Sequence, residues 1–186
     1  MDCGESFAEL VRAHRARAYG YAFRLCGNEP DAADLVQDAF MNAYKNFDSF
    51  DEDRPFLPWF FRIVHNLFIN NAKRTSRRRE VSLTGSGTDA DETAPSAVVL
   101  PPDNESDPLS NLVRIEDEKR IQKALDDLPD HYRGAVLLCD MERLDYADIG
   151  RILDCPVGTV KSRIHQGRKL LRTLLRERQP AGGGYA

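Results

Sequence analysis

The stretch between residues 76 and 111 constrains this 186-residue chain more than any other feature. It contains TGSGTDADETAPS and then LPPDNESDP, rich in Gly, Pro, Ser, Thr and Asp, with neither the period of a helix nor the alternation of a strand. Such a composition cannot bury enough apolar surface to offset the entropy of ordering it, so it predicts a flexible linker. A linker at this place rules out one continuous core. What remains is a block of roughly 75 residues before it and one of roughly 65 after it, each near the small end of what folds alone. The tail Gln179-Pro180-Ala181-Gly182-Gly183-Gly184 has the same character. The expected division is therefore a first domain over 1–76, a linker over 77–111, a second domain over 112–178 and a disordered tail over 179–186.

Both blocks carry helical periodicity and neither carries a strand signal, which predicts an all-α fold of two small helical domains. Phe7, Leu10, Val11, His14, Ala18, Tyr21, Ala22 and Leu25 recur at three- and four-residue intervals and the pattern stops at Gly27. A second helix is expected from about Pro30, capped by Asn28, with Ala33, Val36, Phe40, Ala43 and Phe47 inside and Asp31, Asp34, Gln37 and Asp38 outside. After the turn Asp48 to Asp53, a third helix shows the stripe Phe56, Trp59, Phe60, Ile63, Val64 and Leu67, most of it core. The second block predicts a helix with Leu112, Ile115, Ile121 and Leu125, a break at Leu128-Pro129, a helix from about Asp130 to Met141, the short segment YADIGRIL, and a long last helix from Val157 to about Arg176. Val160, Ile164, Leu171 and Leu174 form its expected inner side.

The formal net charge of −4 argues against nucleic acid until the charges are placed. From Glu80 to Val113 there are seven acidic residues and no Lys or Arg; without that acidic stretch the chain has 26 basic against 23 acidic residues. From Thr159 to Arg178 there are seven basic residues and one acid, Glu177. Local clustering is what attracts phosphate, so the last helix is the candidate electrostatic footprint.

Other classes find little support. No apolar run approaches the roughly 18 residues of a membrane span, and Met1 to Glu5 is acidic where a signal peptide is basic, so a cytoplasmic protein without membrane insertion is expected. Cys3, Cys26, Cys139 and Cys155 have no CxxC spacing and no histidine at a zinc-ligand interval; they read as reduced thiols, with a redox switch the less favoured alternative. No nucleophile elbow, metal triad or phosphate loop is present, which predicts no catalytic residue, no metal and no cofactor.

The segment from Tyr146 to Arg168 has the layout of a helix-turn-helix: a short helix, the turn at Asp154-Cys155-Pro156, then a helix with a basic outer face. Ile149, Ile152 and Leu153 would pack the first helix on the second, and Gly150 would let them approach closely. Thr159 or a neighbour would cap the second. Lys161, Ser162, His165, Gln166 and Lys169 share one face by helical spacing, so their donors could enter a major groove together. The bland reading is a solvated charged face; the turn and the one-sided charge favour DNA binding.

Five segments narrow this further. DCPVGTVKSRIHQGRKLL, preceded by ALDDLPDHYRGAVLL, resembles the second DNA-binding domain (region 4) of extracytoplasmic-function sigma factors. GNEPDAADLVQDAF, followed by AYKNFDSF and PWFFRIVHNLFIN, resembles their first domain (region 2). The two resemblances stand in the right order and cover nearly the whole chain. They imply a factor that joins core RNA polymerase, at the β′ clamp and β flap, and directs promoter-specific initiation.

What the resemblance implies for residues is as follows. Asp34, Gln37, Asp38 and Phe40 would press on the polymerase clamp. Asp48, Ser49 and Phe50 would hold a flipped base of the −10 element, Asn66 would face the opened non-template strand, and Lys73, Arg74, Arg77 and Arg78 would follow its phosphates. Thr159, Lys161, Ser162, Arg163, His165, Gln166 and Lys169 would form the −35 reading helix. Gln166 departs from the arginine common at that position, and a glycine inside the helix, Gly167, would cost about 1 kcal/mol relative to alanine. The partners implied are core polymerase, promoter DNA and an anti-sigma protein. The competing reading is a helix-turn-helix regulator with an N-terminal signalling domain, although the first block lacks the strand–helix alternation of such a domain.

Overall fold

The computed structural model describes residues 3–82 and 108–178, and these form two compact units divided between Val98 and Val99. The first holds α1 (Cys3–Cys26), α2 (Glu29–Lys45), a 3₁₀ turn (Phe47–Ser49) and α3 (Phe56–Ser82). The second holds α4 (Pro108–Asp126), α5 (Asp130–Asp140), α6 (Tyr146–Ile152) and α7 (Val157–Glu177). No strand occurs among the described residues, so the fold is all-α as expected.

In the first unit α1 ends where Gly27 takes φ 80°, a left-handed geometry that glycine adopts without steric cost, and its N–H closes on the Phe23 carbonyl. One residue later the Asn28 side chain accepts from the Asp31 N–H at 3.0 Å and starts α2, with Pro30 in the first turn where its missing donor does no harm. The residues of α2 that bury are Ala32, Leu35, Ala39 and Ala43, one position back from the expected set at three of four places. Ala33 is exposed and Val36 and Phe40 are half-buried. The reason is close packing: Ala18 and Ala22 of α1 and Ala32, Ala39 and Ala43 of α2 are all completely buried, which small side chains allow and bulky ones would prevent. Phe40 is displaced to the flank, where its ring stacks on Phe60 at 4.5 Å. On α3 the core residues are Phe56, Leu57, Phe60, Phe61, Val64 and His65, whereas Trp59, Ile63 and Leu67 are half-buried.

In the second unit the α4–α5 junction is fastened by Arg133, which is buried and donates to the carbonyls of Asp126 (2.8 Å) and Leu128 (3.1 Å) at the open end of α4. Ile115 and Ile121, expected inside, are exposed. Six residues apart, they cannot share a helix face, and Gln122, Ala124, Leu125 and Leu128 are buried instead. Leu112 lies among residues whose side chains are not described. Two boundaries also move. Residues 77–82 and 108–111, expected in the linker, belong to α3 and α4. Arg and Glu are good helix formers, so SRRRE continues α3 until the Gly-rich stretch. The rest of the linker, 83–107, and the tail 179–186 lie outside the described residues.

Candidate nucleic-acid interface

The helix-turn-helix forms as expected. Asp145 accepts from the Asp148 N–H at 2.7 Å and opens α6, which ends at Ile152. Asp154 then takes φ 48°, a geometry short polar side chains tolerate, and Pro156 precedes the first residue of α7. No side chain caps α7, so Thr159 does not cap as expected: its own N–H closes on the Pro156 carbonyl at 2.8 Å, and its side chain is half-buried. A Cβ at Gly150 would lie 2.9 Å from the Cys155 carbonyl oxygen, so only glycine lets the turn fold back so tightly.

Val160, Ile164 and Gly167 define the buried side of α7. Lys161, Ser162, His165, Gln166 and Lys169 are all exposed opposite it, and Arg172 and Arg176 extend the same face by helical spacing. Arg163 does not join them. It is half-buried, its guanidinium 3.6 Å from the Cys155 sulfur. Arg168 also turns away, its Nε donating to Asp140 Oδ2 at 3.1 Å and its Nη2 to Asp140 Oδ1, with the Cys139 sulfur 3.5 Å away. The Asp140 hydrogen bonds hold Arg168 still more firmly in its charged form, while burial pushes the Cys139 thiol up. At the end of α7, Arg178 pairs with Asp127. Cys139 and Cys155 are free thiols.

In the first unit Asp48 and Ser49 are exposed on the 3₁₀ turn, which Ser49 Oγ tightens by donating to the Asn46 carbonyl at 2.6 Å. Phe50 is half-buried in a cluster of rings, 5.1 Å from Trp59, 5.6 Å from Phe56 and 5.7 Å from Phe47. The polar rim of the turn therefore sits on an aromatic wall. Asn66 is exposed on α3 together with Arg62, Asn70 and Lys73 at four- and three-residue intervals, and Arg74 lies on the flank. Arg62 and Asn70 were not among the residues expected there, though extending the helical period from Asn66 in both directions finds them. Arg77 and Arg78 lie further along α3, beyond the side chains described.

On α2 Asp34, Gln37 and Asp38 are exposed and continue into Met41 and Tyr44, which are 51% and 60% exposed. Met41 and Tyr44 thus set two open apolar side chains beside the acidic residues of α2. Neither stood out in the sequence, although both follow Gln37 and Asp38 at helical intervals. Among the described residues there is no cluster able to hold a metal ion and no helix long and apolar enough to cross a membrane.

Comparison with known proteins agrees with this geometry. Residues 10–78 match Sigma-70 region 2 and residues 118–171 match Sigma-70, region 4. The chain is 36% identical to the ECF RNA polymerase sigma factor SigW of Bacillus subtilis, covering 93% of this chain and 90% of that one. It is 32% identical to the RNA polymerase sigma-H factor of Pseudomonas aeruginosa, over 92% and 89%. Among solved structures it resembles the sigma factor RpoE of Bartonella quintana, crystallised in complex with the anti-sigma factor NepR. That likeness has a TM-score of 0.72 and 26% identity over 94% of this chain and 99% of that one. With both sigma regions present in order, on the two units that carry the α2–α3 and helix-turn-helix surfaces, the chain belongs to the extracytoplasmic-function RNA polymerase sigma factors.

Proposed function

We propose that this chain binds core RNA polymerase and directs it to promoters by reading two DNA elements with its two units. The observation that carries the reading is the outward face of α7, where Lys161, Ser162, His165, Gln166 and Lys169 project together from a helix-turn-helix. That face suits a −35 element in duplex form, with Thr159 and Arg163 supporting it from the start of the helix. In the first unit Asp48, Ser49 and Phe50 suit capture of an extruded −10 base: polar groups for its edge above rings for its face. Asn66, with Arg62, Asn70, Lys73, Arg74 and Arg77, suits the opened strand. Asp34, Gln37, Asp38 and Phe40, with Met41 and Tyr44, suit the polymerase clamp, acidic contacts surrounding apolar anchors.

On this reading the chain has no catalytic activity of its own, needs no cofactor, works in the cytoplasm and is held in check by an anti-sigma protein, as the Bartonella quintana relative is bound by NepR. The unit that ends with α3 at Ser82 and the unit that begins with α4 at Pro108 divide the work. The test is reconstitution of the full chain with core polymerase on a promoter library. Chain-dependent initiation from sites sharing two spaced elements is the expected result; polymerase that starts no differently with the chain than without it would sink the proposal. Exchanging Asp34 and Asp38 for lysines should weaken the complex with core, and Asn66→Ala should reduce −10 melting, read by permanganate, while core binding persists.

A further inference from the structure

The seven basic residues of α7 and its end do not have one job. Lys161, Lys169, Arg172 and Arg176 are exposed on the outward side, whereas Arg163, Arg168 and Arg178 are engaged with Cys155, Asp140 and Asp127. Arg168 is the most informative of these, because it immediately follows Gly167, where α7 lies tight against α5. A Cβ on Gly167 would stand 2.6 Å from Val136 Cγ2 and 3.3 Å from Tyr132 Cβ, so the distance between the two helices is set there. Distance alone leaves rotation and tilt free. The guanidinium of Arg168 meets both oxygens of Asp140, at the last residue of α5, and a two-point contact between planar groups resists rotation in a way that a single hydrogen bond or an ammonium cannot.

We propose that Arg168 and Asp140 are positioning residues for −35 recognition: they fix the pose of α7 against α5, and so the angle at which the reading face enters the groove, without touching DNA. The proposal rests on the reading of α7 as the −35 helix. It separates sharply from the alternative that Arg168 binds a phosphate itself. Removing a phosphate-binding cation weakens all sequences alike and lowers the salt slope by about 0.9. Disturbing the pose lowers discrimination between sequences and leaves the slope where it was. Asp140 sharpens the contrast further. If charge alone mattered, removing its negative charge would strengthen DNA binding everywhere; as the partner that orients Arg168, its removal must mimic removal of the arginine.

The experiment uses holoenzyme reconstituted with the full-length chain on a library of −35 variants, with promoter occupancy measured over a range of salt and below the unfolding temperature of every variant. Arg168→Ala and Asp140→Asn should each compress the ratio of best to worst −35 sequence by about fivefold, the effect of one misdirected base contact. The double variant should be no worse than either single one, and the salt slopes should match that of the parent. Arg168→Lys, which keeps the charge without the two-point geometry, should behave like Arg168→Ala. Uniform weakening with a smaller slope for Arg168→Ala, rescued by lysine, would make Arg168 a phosphate ligand and overturn the proposal. So would an Asp140→Asn chain whose −35 ranking is that of the parent. A parent chain with no −35 preference would instead defeat the assignment of α7, and this inference with it.

Discussion

Around the 3₁₀ turn of the first unit, Phe47, Phe50, Phe56, Trp59 and Phe60 meet ring against ring at 5.1 to 6.5 Å, with Phe7 and Phe40 closing the edges. The second unit has no such cluster among its described buried residues; its core is Leu128, Leu137, Leu138, Ile149, Ile152, Val160 and Ile164, and Gly150 and Gly167 sit where an added Cβ would clash with a neighbour. On the function proposed above, the difference follows the tasks. A turn that receives a base needs a broad apolar wall that stays in place when its polar rim is engaged, and rings provide area with few rotatable bonds. A helix that reads base edges needs a fixed pose, which comes from close backbone approach and directional ion pairs.

The largest expected effect tests the ring cluster. Phe60→Ala removes a fully buried ring and should cost the first unit about 3–5 kcal/mol, seen as early unfolding of that unit by hydrogen exchange while α5 to α7 keep their protection. Equal destabilisation of both units would erase the contrast. Next come the glycines: Gly167→Ala and Gly150→Ala should each destabilise the second unit by about 1–3 kcal/mol in denaturant titration, because the added methyl meets Val136 or the Cys155 carbonyl. The capping residues should behave alike in the two units. Asn28→Ala and Asp145→Ala each delete a side-chain acceptor at a helix start and should cost about 1 kcal/mol. The smallest effect has the opposite sign. A Cβ on Gly20 of α1 meets nothing, so Gly20→Ala should raise the melting temperature through a gain of about 0.5–1 kcal/mol. If Gly20 and Gly167 responded alike, the claim that close approach belongs to the second unit would fail.

Those glycines also mark where the sequence could be read and where it could not. Periodicity located the helices α1 to α7, and Gly27, Asn28 and Pro129 located several of their ends, because turns and caps are local chemistry. The side of α2 was misread because large residues draw attention to themselves, while the seam with α1 is made by alanines, whose value lies in the approach they permit. Gly167 was misread for the same reason: within one helix it is a cost, and only the presence of α5 makes it a requirement. The exposed face of α7 was legible from spacing, yet the sequence counted seven cations as one group. That three of them turn toward Cys155, Asp140 and Asp127 depends on residues 8, 28 and 51 positions away, beyond the reach of any local pattern.

Trp59 is the single tryptophan of the chain, and its indole lies 5.1 Å from Phe50, 5.7 Å from Phe56 and 6.5 Å from Phe47. Light excited at the red edge of aromatic absorption is therefore emitted from one place, beside the turn that carries Asp48 and Ser49. Half-buried as it is, that indole reports the polarity and quenching around it, so the unlabelled protein carries its own optical readout of events at the turn.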